Sequence, residues 1–246
     1  HAATMTANAA QRIPTPMELT PIFLDWSALA LRWLHFIAGI AWIGSSFYFM
    51  ALDASLKKRA SLPEGVSGET WQVHGGGFYH IQKYLVAHAQ MPGDLVWFKW
   101  ESYATWLSGF VLLVLVYYLG AEFYLIDPSV ADLAVWQAVA LSLASLAFGW
   151  LAYNTLCKVF VDADQTLLMV ALFGVLVAMS YFYTSVFSGR AAMLHLGAFT
   201  ATIMSANVFM IIIPNQKIVV ADLIAGRTPD AKYGKIAKQR STHNNY

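Results

Sequence analysis

Long apolar runs separated by short polar breaks set the pattern of this chain. The runs fall at about 27–52, 103–125, 133–157, 166–187 and 191–213. At about 1.5 Å of rise per residue, each is long enough to cross a hydrocarbon core of roughly 30 Å. The breaks between the later runs are short, which makes consecutive helices antiparallel neighbours. The pattern predicts an all-α fold: a polytopic transmembrane helical bundle with five apolar spans. One interval departs from it. Residues 53–101 separate the first two runs, far more chain than a connection needs. Within that interval, Trp71-Gln-Val-His-Gly-Gly-Gly-Phe-Tyr-His-Ile-Gln-Lys-Tyr-Leu-Val-Ala-His88 suggests a glycine-broken entry followed by a short amphipathic helix on the inner membrane surface.

Composition agrees with a membrane location. Hydrophobic residues make up 58% of the chain and charged residues 12%, about half the charged share of a soluble domain. The net charge of +1 says nothing about nucleic acid by itself, but no basic stripe interleaved by aromatics is present, and no nucleic-acid partner is expected. A single cysteine, Cys157, excludes an internal disulfide and any cysteine-pair metal or haem attachment in this sequence. It reads as a small buried apolar residue. Residues 1–24 read as a poorly structured leader and 25–246 as one transmembrane domain. The polar stretch 232–246 looks like a loop cut before further spans.

The placement of Lys and Arg sets an orientation. Lys57, Lys58, Arg59, Lys83, Lys99, Lys158 and the basic tail fall on one side, against Arg12 and Arg190 on the other. The expectation is a multi-pass protein of a bacterial-type inner (cytoplasmic) membrane, embedded in the lipid bilayer. Its N-terminus lies outside and residue 246 on the cytoplasmic side.

Two sets of residues are candidates for chemistry. The first run carries Arg32 and His35 well inside it, and such groups are costly in lipid unless they face a partner, cofactor or cavity. Arg32, His35, Gly39 and Trp42 share a helix face. His35 and His195 are expected at similar depth, so they form a candidate axial pair for haem b. Arg32 would then meet a propionate, Gly39 would leave room for the ring, and Trp42 would flank it. The alternative is that each imidazole simply bonds a neighbouring helix. The second set is the glycine segment. Gly75, Gly76 and Gly77 suit an anion-binding backbone, and His80 and Lys83 are one helical turn apart. His74 or His80 would be the base, Lys83 the anion's counter-charge, and Trp71 and Tyr79 the flanks of a planar substrate. The alternative is an interfacial anchor. Asn154, Asn207, Asn215 and Gln216 read as interhelical hydrogen-bonding groups, and Asp162 and Asp164 as a loop cap.

Three motifs occur in order: Arg32-Trp-Leu-His35 through Trp42-Ile-Gly-Ser-Ser-Phe-Tyr48, then Trp71-Gln-Val-His-Gly-Gly-Gly-Phe-Tyr-His80, then Trp97-Phe-Lys-Trp-Glu-Ser-Tyr-Ala-Thr-Trp-Leu-Ser-Gly109. Together they resemble the N-terminal membrane domain of the membrane-bound urate oxidase (urate hydroxylase, PuuD) family. The resemblance implies oxidation of urate toward 5-hydroxyisourate in purine catabolism. It also implies electron transfer to a cytochrome c-type acceptor and a respiratory chain. In that family about eight spans are expected, with cytochrome c haem in a C-terminal domain. This sequence has five runs and no Cys-x-x-Cys-His motif, so that domain would lie in a missing C-terminal part. Urate is a flat monoanion, so its oxidation requires an anion site, a base and an electron acceptor. No side chain here accepts two electrons, so a cofactor must. Two other readings stay open: a haem-b electron-transfer subunit with no substrate site, and a transport or structural membrane domain.

Overall fold

The computed structural model describes residues 16–84, 93–160 and 165–245. The helices are α1 (Pro16–Ser55), α2 (Trp100–Leu112), α3 (Ala121–Tyr124), α4 (Val135–Val159), α5 (Gln165–Val186), α6 (Gly189–Ala206), α7 (Ile213–Ile224) and α8 (Ala231–Asn245). Two strands, β1 (Val66–His74) and β2 (Gly77–Tyr84), lie between α1 and α2. Among the described residues, five helical stretches are long and apolar enough to cross a membrane: Pro21–Ser55, Trp100–Tyr118, Val135–Val159, Gln165–Val186 and Gly189–Ile224. They coincide with the five runs of the sequence.

Side chains sort as lipid solvation requires. On α1, Trp26, Trp33, Phe36, Ile40, Ile43 and Phe47 are exposed at three- and four-residue spacing and form an outward stripe. The opposite face packs on α2, where Gly39 lies against Thr105. The main core joins the π-helical end of the α2 span to α4, α5 and α6, with Tyr183, Phe187 and Phe199 wholly buried. Here α4 and α6 approach closely. A β-carbon built on Gly149 would lie 2.4 Å from the Phe199 ring, so only glycine fits this contact.

Two stretches widen to π-helix, Leu113–Tyr118 and Asn207–Ile212. The second has a local cause. Pro214 lacks an amide hydrogen and its ring crowds the carbonyl four residues earlier, so the ladder opens there without ending the helix. The helix therefore continues through α6, the π-turn and α7 as one rod, Gly189–Ile224.

Three expectations are corrected. The segment expected to hold a short amphipathic helix is an antiparallel hairpin, with Trp71 opposite His80 and His74 opposite Gly77. Gly75 and Gly76 sit at φ +59° and +80°, as a two-residue primed turn demands. Side chains alternate between the faces of the hairpin with period two, and the helical reading of this stretch missed that alternation. Residues 85–88, the last part of the expected helix, lie outside the described residues, as do Asp162, Asp164 and residues 1–15 of the leader; residues 16–24, expected to be poorly structured, are the first turns of α1. The polar stretch read as a loop is helix α8, which packs on α7 and on the Asn207–Ile212 turn.

Candidate functional site

A cleft of about 370 Å³ opens between α1, α2 and α6, lined in part by Arg32, His35, Trp42, Trp106, Gly109, Arg190 and Ser205. Its geometry follows from glycine and from hydroxyl-bearing residues on α2. A β-carbon on Gly109 would lie 2.7 Å from His35 Cε1, so the imidazole lies flat against bare backbone. His35 Nδ1 is 2.9 Å from the Thr105 carbonyl and 3.2 Å from Ser108 Oγ. A carbonyl only accepts, so Nδ1 carries the hydrogen and Nε2 keeps its lone pair. Metal-binding histidines are commonly held in this way, with the second nitrogen donating to a backbone carbonyl. Arg32, on α1, and Arg190, at the start of α6, both line the cleft near its end remote from the hairpin. Among the described residues no carboxylate pairs with either. The cleft thus offers one imidazole nitrogen and two guanidinium groups without a carboxylate partner among the described residues, Arg190 lying over the Tyr124 ring, in mostly apolar surroundings. That donor set fits a flat, apolar macrocycle with acidic edge groups, such as haem b.

The structure gives the expected partner, His195, a different place. On α6 the cleft-lining residues Leu194, Gly197, Ala198 and Ala201 form one face. His195 turns from them into the core, where it is fully buried. Its Nδ1 donates to the Ala191 carbonyl at 2.8 Å and its Nε2 bonds Ser142 Oγ at 2.7 Å. Tyr117, Tyr183 and Phe187 surround the ring. Both nitrogens are occupied, so the two histidines do not share one site. An expected likeness of depth said nothing of the direction in which each ring points. Gly39, likewise, serves the α1–α2 contact; Gly109 is the glycine that makes room for the imidazole.

The hairpin divides the second candidate set. Glu69, Trp71, Val73, Phe78 and His80 share one face by the register, whereas His74, Tyr79 and Lys83 share the other. Lys83 is paired with Asp53 at 2.7 Å. Gly75 and Gly76 form the turn, and Gly77 opens β2. His74, His80 and Lys83 therefore do not converge. What does assemble is a group built around Glu69. His80 Nε2 lies 2.7 Å from Glu69 Oε2, Arg59 Nε lies 3.2 Å from Oε1, and Trp71 stacks on His80 with centroids 4.3 Å apart. The sequence reading missed Glu69, although its spacing two residues before Trp71 places it on the His80 face once a strand is assumed.

The His80 hydrogen bond, followed by the imidazole and Arg59 charges, holds the Glu69 carboxyl below its ordinary value of 4.5. A depressed carboxylate pKa means stability present above the ordinary value and lost as pH falls through the lowered one. Glu69→Gln is therefore expected to speed amide hydrogen exchange across 66–84 at neutral pH. In the wild type the same loosening should require acidification below about 4.5. Equal exchange in the two proteins at neutral pH would remove Glu69 as the anchor. The backbone bridge between Lys57 and Glu69 and the Tyr48–Gln72 hydrogen bond hold the hairpin to the end of α1 in either case.

A third polar group lies where α4, the Asn207 π-turn and α8 meet. Asn207 Nδ2 donates to Tyr153 Oη at 2.9 Å and to Asn244 Oδ1 at 3.0 Å. Tyr153 Oη in turn lies 2.8 Å from His243 Nδ1. Arg240 reaches Asn154 Oδ1 at 2.9 Å and lies over the Tyr153 ring. Burial, then the Arg240 charge, holds the His243 imidazole below its ordinary range. The interhelical role expected for Asn154 and Asn207 holds, but they bind α8, which the sequence reading left as loop.

Comparison with known proteins adds one finding. The profile of the family described as "Urate oxidase N-terminal" matches residues 21–246. No curated protein and no solved structure matches.

Proposed function

The chain belongs to the urate oxidase N-terminal family, and from that premise we propose that it is a membrane-embedded oxidoreductase domain that oxidises urate. The overall change is addition of water to urate with loss of two protons and two electrons, giving 5-hydroxyisourate. The electrons pass on to a cytochrome c-type acceptor of a respiratory chain. The observation that carries the redox reading is His35, with Nδ1 tied to a carbonyl and Nε2 free in a cleft bearing Arg32 and Arg190.

His35 would hold haem b through its free Nε2, and Arg32 and Arg190 would offer positive charge to its acidic edge groups. A haem held there would take electrons singly. The chain's own contribution is to fix the imidazole tautomer through Thr105 and to exclude water with Trp42, Trp106 and Phe110. The basic residues around 57–59 and on α8 support a reading in which the hairpin and α8 lie at the cytoplasmic face of an inner membrane. Labelling of a cysteine introduced at Ser241 by an impermeant reagent outside intact cells would overturn that orientation.

The test of function is anaerobic addition of urate to the purified protein. The expected result is a reduced-haem absorbance spectrum with 5-hydroxyisourate formed. Haem present but not reduced by urate would leave an electron-transfer subunit without a substrate site. Absence of haem would remove the redox reading.

A further inference from the structure

The β1–β2 hairpin is tied to the end of α1 along its length. Lys57 and Glu69 exchange two backbone hydrogen bonds. Asp53 meets the hairpin at its base, through Lys83, which stands opposite Gly68. Tyr48 Oη donates to Gln72 Oε1 at 3.0 Å, four residues nearer the turn. Tyr48 is five residues before Asp53, roughly 7.5 Å back along the helix. The hairpin therefore runs back along α1, in the direction of the bilayer, and its turn at Gly75 and Gly76 lies beyond the Tyr48 contact. The tip is directed to the level of Phe47, which belongs to the outward apolar stripe of α1. The chain before α2 marks a similar level. Phe98 packs edge-on to Phe49 with centroids 4.7 Å apart, and Val96 and Trp100 beside it are exposed.

Gln72 and Lys83 turn one face of the hairpin toward α1, so the other face looks away from the protein. That outer face is graded. At its base stand Lys57, Arg59, Glu69 and His80. Toward the turn stand Trp71, Val73 and Phe78, exposed by 59, 69 and 78%. No Asp, Glu, Lys or Arg falls between Glu69 and Lys83. Charge at one end and bare apolar side chains at the other, on an element lying against a membrane span, match the polarity gradient of a lipid leaflet. We propose that the hairpin is a lipid-binding element. Its tip enters the boundary between headgroups and acyl chains beside α1, and the exposed Lys57, Lys58 and Arg59 take the phosphates of anionic lipids. The turn limits the depth. His74 and the peptide groups of Gly75 and Gly76 need water, so the tip stops at the boundary, roughly 5–10 Å in. A protein partner would have no need of the gradient. The proposal stands apart from the urate reading and adds a second hold on the membrane, outside the helical spans.

The test uses the full chain in lipid nanodiscs. A nitroxide is attached through Phe78→Cys at the tip, Lys57→Cys at the base or Ile43→Cys on the lipid-facing stripe; the native Cys157 is buried and does not take the label. Spin relaxation then reports contact with oxygen, which concentrates among acyl chains, and with a water-soluble nickel chelate. The label at 78 is expected to approach that at 43, with nickel contact several-fold below that at 57. Nickel contact at 78 equal to that at 57 overturns insertion. Low contact with both reagents at 78 means that protein covers the face, a second copy or a partner, and overturns the lipid assignment. The wild type supplies an arm that needs no variant. Amide hydrogen exchange over 72–79 is expected to slow several-fold when phosphatidylcholine nanodiscs are replaced by nanodiscs rich in phosphatidylglycerol. Equal exchange in the two lipids overturns the role given to Lys57, Lys58 and Arg59.

Discussion

Replacing His35 with alanine is expected to remove the haem absorbance of the purified protein nearly completely, with the helical bundle intact. His35 is the one imidazole in the α1–α2–α6 cleft, and its hydrogen bonds run only to Thr105 and Ser108 of α2. Losing them costs about 1 kcal/mol of stability, small beside the extensive packing of α1 on α2. Gly109→Val is expected to give the same spectrum by another route, because its β-carbon would stand 2.7 Å from His35 Cε1 and push the ring off its carbonyl. His195→Phe provides the contrast. It breaks bonds to Ser142 and Ala191 in the core and should lower the melting temperature while leaving the spectrum of the folded fraction unchanged. Haem retained in His35→Ala would sink the assignment. So would its loss in well-folded His195→Phe.

The largest structural effect is expected from Gly149→Val. The first added carbon would lie 2.4 Å, 2.7 Å and 2.9 Å from three atoms of the Phe199 ring. Phe199 is fully buried against Leu146 and Tyr183 and cannot swing aside without opening that core. Overpacking of this kind costs about 1–3 kcal/mol and occasionally more, and the contact where α4 and α6 meet must separate to relieve it. Gly174→Val is the control, since its β-carbon meets nothing within 4 Å. Thermal unfolding in nanodiscs should separate the two variants widely. Similar melting temperatures would mean that the close approach of α4 to α6 is not a constraint.

Much of the fold was legible because lipid leaves few alternatives. A run such as 166–187 has to be a helix, since no water is present to satisfy an unpaired backbone. Outside the bilayer that compulsion lapses, and there the reading went astray. The stretch Val66–Tyr84 has no long apolar block, and its signal was alternation around Gly75-Gly76, a turn pair whose conformations glycine alone adopts cheaply. Helix α8 has a low apolar content and owes its place to polar contacts with α4 and the π-turn, which no local pattern announces. Within the bundle, rotation was not readable. His35 and His195 face different helices, because azimuth depends on which small residues let neighbours in. Gly109 draws His35 toward α2, and Ser142 draws His195 toward α4.

The rod formed by α6, the π-turn and α7 contains 36 residues, roughly 54 Å at helical rise, against a hydrocarbon thickness of roughly 30 Å. Its last turns therefore stand in water, with α8 folded back along them. One continuous helix thus joins two solvents: its first turns are wetted by acyl chains and its last by water, and α8 packs on the hydrated part. Shortening the rod by two turns at its α7 end would draw the basic α8 toward the headgroups without changing the packing of α4 on α6.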